Sequence, residues 1–336
     1  MNEHLNRRKF LTGTVIGTIG MTLINPLESL SRPAAKGKRV GIIGLDTSHS
    51  IAFTKMLNAD SPDAKYLGYK VVAAYPYGSR TIESSASRIP GYIDQVKPMG
   101  VKIVDSIDAL LKEVDVVLLE TNDGRLHLEQ VLPVLKAKKR VFIDKPIAAS
   151  LEDTLAIFEA SKKYNVPLFS ASSLRYIKGI EGLEKNKVVG ADTYSPCSLE
   201  KTHPDLFWYG IHGVETLYTV MGTGCKEVTR VHTEGTDVVV GVWEDGRVGT
   251  FRGTRTGKSG YGGTVYTTDG NRPLGPYGGY DPLLVDIIKY FENGTVPVTP
   301  DETIEIFTFM EAADESKRQG GKPVKLADVL AKARRG

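Results

Sequence analysis

From residue 38 onward, short apolar runs alternate with stretches of helical periodicity, and this alternation constrains the fold more than any other feature. Four runs are nearly continuous in apolar residues, and they lie at 39–44, 69–74, 115–119 and 140–143. Such runs are typical of parallel strands that are covered on both faces. A helical stretch at 127–137 carries leucine and valine on one face. The pattern predicts a doubly wound parallel sheet, a Rossmann-type α/β domain, over residues 38–150.

Residues 151–336 are predicted to form a second α/β domain. Ser150 offers an N-cap for a helix over 151–164. Residues 226–268 contain strand-forming runs, and Asp245-Gly246 predicts a hairpin between two of them. The glycine- and tyrosine-rich segment 257–280 is predicted to be loop. A last long helix is predicted from Thr299 to the glycine pair at 320–321.

The first 37 residues are predicted to be a signal and linker outside the folded domains. Arg7-Arg8-Lys9-Phe10-Leu11 is a twin-arginine pattern, followed by a moderately apolar run to Leu27. Three glycines interrupt that run, and it is shorter than the ~20 apolar residues of a membrane span. We therefore expect export to the periplasm and no stable membrane insertion after signal removal. An uncleaved N-terminal anchor is the alternative.

Composition excludes several classes of protein. The net charge of the 336 residues is +3, which gives no reason to expect nucleic acid as a partner. The two cysteines, Cys197 and Cys225, exclude a disulfide scaffold and a cysteine zinc site, and no metal site is predicted. Whether the two cysteines pair with each other is left open by their spacing.

The turn after the first predicted strand is the expected position of a dinucleotide phosphate. Only Gly44 of the G-x-G-x-x-G pattern is present, because Asp46 and His49 stand at the other two glycine positions. A carboxylate at Asp46 should repel phosphate unless it turns away. Thr47, Ser48 and the helix N-terminus can still donate hydrogen bonds to an anion. A plain strand-to-helix turn with Asp46 or Ser48 as N-cap is the alternative.

The second predicted strand is followed by a segment without the acid that often binds the ribose hydroxyls of NAD. Ser79 and Arg80 stand there instead and could accept a 2′-phosphate. This composition favours NADP weakly, and a solvated surface loop is an equally good interpretation.

Three later motifs occur in an order that is specific as a set. Glu120-Thr121-Asn122 is followed by His127, Asp144-Lys145-Pro146 ends the next strand, and Gly210 to Glu215 (GIHGVE) lies on a predicted helix. Together they resemble the glucose–fructose oxidoreductase and inositol dehydrogenase (Gfo/Idh/MocA) family over about residues 39–324. Asp144 and Glu215 replace a glutamate and an aspartate of that family's motifs, and Trp208 replaces an aspartate often found before the histidine.

The resemblance implies a large, mostly antiparallel sheet in the second domain, a bound NAD or NADP, a carbohydrate substrate and a cis Lys145-Pro146 bond. We also expect a homo-oligomer. The residues carried over as cofactor-binding candidates are Gly44, Asp46, Thr47, Ser48, His49, Arg80, Thr121, Asn122, His127 and Lys145. The substrate-binding candidates are Arg175, Tyr209, His212 and Glu215.

Lys145 and His212 are the predicted catalytic pair. Oxidation of an alcohol requires a base for the hydroxyl proton, and histidine, with an unperturbed pKa of ~6.5, suits that role near neutrality. A lysine starts at ~10.4, and lowering it by ~3 units requires ~4 kcal/mol. His212 is therefore the first choice of base, and Lys145 would stabilise the developing alkoxide. The opposite assignment stays open, because oxidised nicotinamide is itself positive.

These observations predict a nicotinamide-dependent oxidoreductase that acts on a hydroxyl of a sugar, polyol or glycoside with a tightly held cofactor. Two alternatives remain. One is a cofactor-free binding protein or pseudoenzyme on the same fold, favoured by Asp46 and His49. The other is glycoside cleavage through transient oxidation.

Overall fold

The computed structural model describes residues 37–335, and its first sheet is the predicted Rossmann sheet. Its strands are β1 (Arg39–Ile43), β2 (Lys70–Tyr75), β3 (Lys102–Ile103), β4 (Val116–Leu119), β5 (Val141–Ile143) and β6 (Leu168–Ser170). They are all parallel, in the order β3-β2-β1-β4-β5-β6. The order in which successive strands are added to the sheet reverses between β1 and β4, and ligands of such sheets bind at the carboxyl ends of the strands at this point. The predicted parallel sheet is confirmed.

Helices cover this sheet on both faces. They are α1 (Ser48–Leu57), α2 (Glu83–Ala86), α3 (Ile89–Val96), α4 (Ile107–Glu113), α5 (His127–Lys136) and α6 (Leu151–Tyr164). The predicted cap of α6 is present, since Ser150 Oγ accepts a hydrogen bond from Asp153 N at 3.0 Å. Strand residues such as Ile42, Leu118 and Phe142 are completely buried, as continuous apolar runs predict.

The second sheet has seven strands and is antiparallel except at one pair. Its strands are β7 (Val188–Pro196), β8 (Cys225–His232), β9 (Thr236–Trp243), β10 (Val248–Thr254), β11 (Gly262–Thr267), β12 (Gly270–Leu274) and β13 (Val324–Lys325). The order is β12-β11-β7-β10-β9-β8-β13, with β7 and β10 parallel. The mostly antiparallel sheet and the β9–β10 hairpin are confirmed.

Four further helices connect the sheets. They are α7 (Ile211–Met221), α8 (Asp281–Asn293), α9 (Pro300–Arg318) and α10 (Leu326–Ala333). Helix α8 packs Leu284 and Ile287 into the same apolar cluster as Ile42 and Phe142 of the first sheet. Because β6 and α8 both follow residue 150, the chain beyond the predicted domain boundary completes the first sheet.

The prediction that 257–280 is loop is wrong over the β11–β12 hairpin. Strand β11 pairs with β7 on one side and β12 on the other. Glycines interrupt the alternation of side chains that would identify a strand here, because the backbones of neighbouring strands approach closely. A Cβ on Gly263 would stand 2.3 Å from the carbonyl oxygen of Asp192. Tyr280, at the end of this segment, lies against His49 of α1, with ring centroids 4.6 Å apart.

Two open questions from the sequence concern the cysteines and the membrane. Cys197 and Cys225 are buried and free, so they do not pair. Within residues 37–335, no helix combines the length and apolarity needed to cross a membrane. The twin-arginine pattern at 7–11 lies outside the described residues.

His203 links the two halves of the chain and makes their stability pH-dependent. Its Nε2 accepts a hydrogen bond from Gly124 N at 3.2 Å, and burial lowers its pKa to about 4. The folded protein thus prefers the neutral ring. The contribution of neutral His203 to the free energy of unfolding is therefore present above pH ~6.5 and is lost as the pH falls toward 4. We expect the unfolding free energy of His203→Gln, measured by urea titration, to fall less than that of wild type between pH 7 and 4. Parallel pH profiles would contradict this.

Candidate active site

A cavity of about 210 Å³ lies at the carboxyl ends of the first sheet's strands, between that sheet and α7. Pockets for drug-sized ligands measure ~300–1,000 Å³, so this smaller cavity suits a ligand of about the size of one sugar ring. Its lining comes from both halves of the chain: Thr47, Ser48, His49, Ser84, Arg88, Asn122, Lys145, Ser173, Leu174, Trp208, Tyr209, His212, Tyr261, Tyr277 and Tyr280. Lys145, His212, Tyr209 and Asn122, four of the predicted site residues, all line this cavity.

Lys145 enters the cavity from the end of β5. It follows Asp144, whose carboxylate accepts the Lys145 backbone N–H at 2.8 Å, and the Lys145-Pro146 bond is cis, as the resemblance implied. The ammonium lies 5.4 Å from the centroid of the Tyr209 ring. Burial lowers the pKa of Lys145, although Asp144, Glu215 and Glu120 oppose the change. Lys145 is thus a buried cation that loses its proton more readily than an exposed lysine does.

His212 enters the same cavity from the first turn of α7. Its Nδ1 lies 2.6 Å from Ser172 Oγ, which orients the ring. In the tautomer in which Nδ1–H donates to Ser172, Nε2 is the nitrogen that can accept a proton. Burial lowers the pKa of His212 well below its ordinary value, and Lys145 and His49 add to the effect. A neutral imidazole with one fixed nitrogen is the form that accepts a proton from a ligand.

Aromatic rings form much of the remaining wall. Trp208 and Tyr209 lie on a π-helical turn, Leu206–Gly210, directly before α7. Such turns are frequent at functional sites. The Tyr209 and Tyr261 rings stand edge-on to His212, with centroids at 5.4 and 5.8 Å. Tyrosine faces and hydroxyls together suit the C–H surfaces and hydroxyl groups of a carbohydrate.

The first turn is built around the buried carboxylate of Asp46. Its two oxygens accept hydrogen bonds from Ser79 N and Asn122 N, both at 3.0 Å. Burial raises the pKa of Asp46 to about 6, against these two hydrogen bonds. Gly78 is required beside it, because a Cβ there would stand 2.0 Å from an Asp46 oxygen. Asp46 turns away from the cavity, and it joins the loop after β2 to the loop after β4.

Further bonds hold the same two loops together. Ser79 Oγ donates to Asp123 Oδ2 at 2.8 Å, and Arg125 donates to Thr81 Oγ1 at 2.7 Å. The Asn122 amide donates to Ser85 Oγ at 2.9 Å. The crevice over β1 is therefore bridged by main-chain and side-chain hydrogen bonds.

A dinucleotide does not fit this arrangement. Its adenosine half would occupy the separate pocket of about 590 Å³ that Arg80 lines, and its nicotinamide would lie in the cavity beside Lys145. The pyrophosphate between them would pass over β1, where second and third glycines normally leave room. Asp46 and its hydrogen bonds close that path, and the His49 side chain is buried where the third glycine would stand.

Three buried side chains meet behind Lys145. The Nδ1 atom of His49 lies 2.7 Å from Asp144 Oδ2, and Glu120 lies beside both with its carboxylate fully buried. Burial raises the pKa of Glu120 well above its ordinary value, and Asp144 and Asp46 add to this. Burial alone would also raise the pKa of Asp144, but His49 and Lys145 hold it below its usual range.

Seven predicted binding residues lie outside the cavity wall, namely Gly44, Asp46, Arg80, Thr121, His127, Arg175 and Glu215. Both ring nitrogens of His127 face backbone carbonyls, those of Thr121 at 2.6 Å and Ile147 at 3.1 Å. Thr121 is buried against Gly44, whose φ of +90° allows the close approach. Arg175 and Glu215 pair with each other inside the protein, at 3.4 Å. The buried residues of this set position the site and do not line the cavity.

Sequence reasoning missed several residues of the wall. Ser172 appeared in no motif, although it orients His212. Tyr261, Tyr277 and Tyr280 were assigned to a loop, and only the tyrosine content of that segment could have suggested them. Glu120 was read only as the residue before Thr121; an acidic residue ending a buried strand was the available signal.

The comparisons with known proteins agree with this fold. Residues 38–172 match the family model described as an oxidoreductase family with NAD-binding Rossmann fold (Gfo/Idh/MocA). Inositol 2-dehydrogenase 3 of Saccharopolyspora erythraea is 30% identical over 140 residues, 41% of this chain and 36% of that protein. The 2,7-anhydro-N-acetylneuraminate hydratase of Escherichia coli K12 is 36% identical over 84 residues, 24% of this chain and 22% of that protein. The chain spans less than half the length of the curated relatives it matches.

A solved structure extends the similarity in fold. The scyllo-inositol dehydrogenase of Lactobacillus casei, bound to NAD(H) and scyllo-inositol, superposes with a TM-score of 0.68 at 16% identity. The match covers 86% of this chain and 99% of that one. Residues 38–172 are therefore similar to the Gfo/Idh/MocA oxidoreductase family, and the two-sheet fold of the solved structure extends over most of the remaining chain.

Proposed function

We propose that the cavity binds a sugar, polyol or glycoside and that Lys145 and His212 move a proton at one of its oxygen-bearing carbons. The observation that carries this proposal is the convergence, in one cavity of about 210 Å³, of a buried lysine, a neutral histidine and a wall of tyrosines. The inositol named for one relative and one neighbour, and the sugar acid derivative named for another, support a carbohydrate ligand.

In the chemistry that the geometry favours, no dinucleotide takes part. In a sugar that carries a carbonyl group, His212 Nε2 takes the proton from the carbon next to the carbonyl, and Lys145 stabilises the enolate oxygen that becomes negative. Returning the proton to another carbon, or expelling a hydroxide or alkoxide from the neighbouring carbon, completes the reaction without an oxidant. The hydratase activity named for the Escherichia coli relative is a net reaction of this non-redox kind.

The second candidate is nicotinamide-dependent oxidation of a carbohydrate hydroxyl, which the family model favours. The two loops joined by Asp46 would have to separate to admit NAD or NADP, and the nicotinamide would supply the hydride acceptor. Export by the twin-arginine route is part of this proposal, because a periplasmic enzyme would have to keep its nucleotide and restore it within each cycle. A homo-oligomer remains a proposal for either candidate.

The experiment incubates the full chain with single sugars, inositols, keto sugars and glycosides in deuterium oxide, with and without NAD and NADP. Nuclear magnetic resonance follows the entry of deuterium into the carbohydrate and the formation of products. We expect exchange or conversion without added nucleotide, lost in His212→Gln. Conversion only with nucleotide, together with its reduction, would establish the second candidate instead. No binding and no conversion of any compound would contradict both.

A further inference from the structure

His49, Glu120 and Asp144 form a cluster whose composition differs from that of an ordinary buried ion pair. The three come from the start of α1 and from the residues directly after β4 and β5. One ligand-type atom of each lies within 4.8 Å of the other two. All three side chains are buried, so that backbone elements rather than solvent fix their positions.

Glu120 carries the argument. Its side chain is completely buried, and neither carboxylate oxygen has a hydrogen-bond partner within residues 37–335. His49 Nδ1 likewise lacks a partner with hydrogen-bond geometry, although it lies 2.7 Å from Asp144 Oδ2. Buried carboxylates are normally paired, hydrogen-bonded or bound to metal, because loss of hydration is strongly unfavourable. Glu120 and His49 thus direct polar atoms without hydrogen-bond partners toward Asp144, which indicates a missing positive charge.

We propose that His49, Glu120 and Asp144 bind one divalent transition-metal ion beneath the cavity. Two carboxylate oxygens and one imidazole nitrogen are donors that Zn²⁺ and Mn²⁺ accept. Ligands at ~2.1 Å from an ion lie about 3 Å apart when their bonds meet near a right angle, which is close to the spacing of His49 Nδ1 and Asp144 Oδ2. Glu120 completes a three-ligand site, which leaves coordination positions open, as catalytic metal sites do.

Charge supports the same assignment. Two other acidic side chains, Asp46 and Asp144, lie close enough to act on the charge of Glu120. The basic side chain that acts on it is Lys145. A dication would balance three carboxylates and one ammonium. His49 also lines the cavity, so an ion at this site would lie next to the bound carbohydrate. The metal site is proposed for the protein without bound substrate, so the proposal does not depend on the proton-transfer function.

The experiment measures metal content and affinity on the full chain. The protein is stripped with a chelator, dialysed against Zn²⁺ or Mn²⁺, and analysed by inductively coupled plasma mass spectrometry, with the melting temperature recorded alongside. We expect one equivalent of at least one ion per chain and a melting temperature that rises with its concentration. The proposal is overturned if the wild-type protein takes up no more of either ion than a control protein that binds such ions only at its surface. A proton shared between Glu120 and Asp144 would then explain the cluster.

The matched variants are Glu120→Gln at the site and Glu129→Gln on the exposed face of α5. Loss of an outer-shell partner commonly weakens metal binding 10–100-fold, so loss of a ligand should weaken it at least ~100-fold. We expect that loss in Glu120→Gln, with stability in the absence of metal equal to or above wild type, since an unpaired charge is removed. Unchanged metal affinity in a folded Glu120→Gln would also overturn the proposal. A variant that fails to fold leaves the wild-type measurement decisive.

Discussion

Replacing Lys145 or His212 with alanine is expected to lower turnover of the carbohydrate substrate at least a hundredfold while the protein stays folded. General acid–base groups usually contribute ~10²–10⁴-fold to the rate. Lys145 is the cation beside the Tyr209 ring, and His212 presents the nitrogen that Ser172 leaves free. Removal of either therefore eliminates one half of the proton-transfer pair. The measurement is the steady-state rate, with circular dichroism as the test of folding.

Lys136→Ala, on the exposed end of α5, is the control for loss of a lysine, and it should retain the wild-type rate. A Ser172→Ala variant should lose less than His212→Ala, because it removes only the orientation of the ring. Near-normal turnover in folded Lys145→Ala or His212→Ala would remove that residue from the mechanism. Equal losses in Lys136→Ala would show that the effect is not local.

Asp46→Ala is expected to lower the free energy of unfolding by ~2–4 kcal/mol. The backbone N–H groups of Ser79 and Asn122 both donate to the Asp46 carboxylate, and each buried donor left without an acceptor costs ~1–3 kcal/mol. The substitution also releases the joined loops, so amide hydrogen exchange should accelerate there first. Urea denaturation measures the stability, and mass-spectrometric hydrogen exchange measures the loops.

Asp94→Ala on the exposed face of α3 is the matched control and should change stability by less than ~0.5 kcal/mol. Asp46→Asn keeps one acceptor oxygen and should fall between wild type and Asp46→Ala. If Asp46→Ala were as stable as the control and its loops exchanged no faster, the carboxylate would not join the two loops.

The sequence was sufficient for the first sheet because its strands are short, continuous apolar runs with a glycine or polar residue at each end. Motif order also placed Lys145 at a strand end and His212 on a helix, which is where the structure has them. It was insufficient for the β11–β12 hairpin, where glycines required by close backbone approach removed the alternation of a strand. Tyr261 and Tyr277, which lie on either side of this hairpin, were missed because no motif marks them.

The first turn shows a second kind of limit. The substitution of glycine by Asp46 was visible in the sequence, but its consequence depends on Ser79 and Asn122, which are 33 and 76 residues away. Whether the carboxylate repels a phosphate or closes the crevice is a property of three loops that meet only in the folded chain. The His49–Glu120–Asp144 cluster is of the same kind, since no local motif joins its members.

If the cavity is a proton-transfer site whose dinucleotide path is closed, the native protein should hold no nicotinamide nucleotide. The most direct test is to purify the native protein without added nucleotide, denature it with acid, and identify any released nucleotide by chromatography and mass spectrometry. We predict that no stoichiometric NAD or NADP is released and that neither binds to the refolded or native protein in equilibrium dialysis. Release of about one equivalent of either nucleotide per chain would contradict the claim and would establish the nicotinamide-dependent oxidoreductase instead.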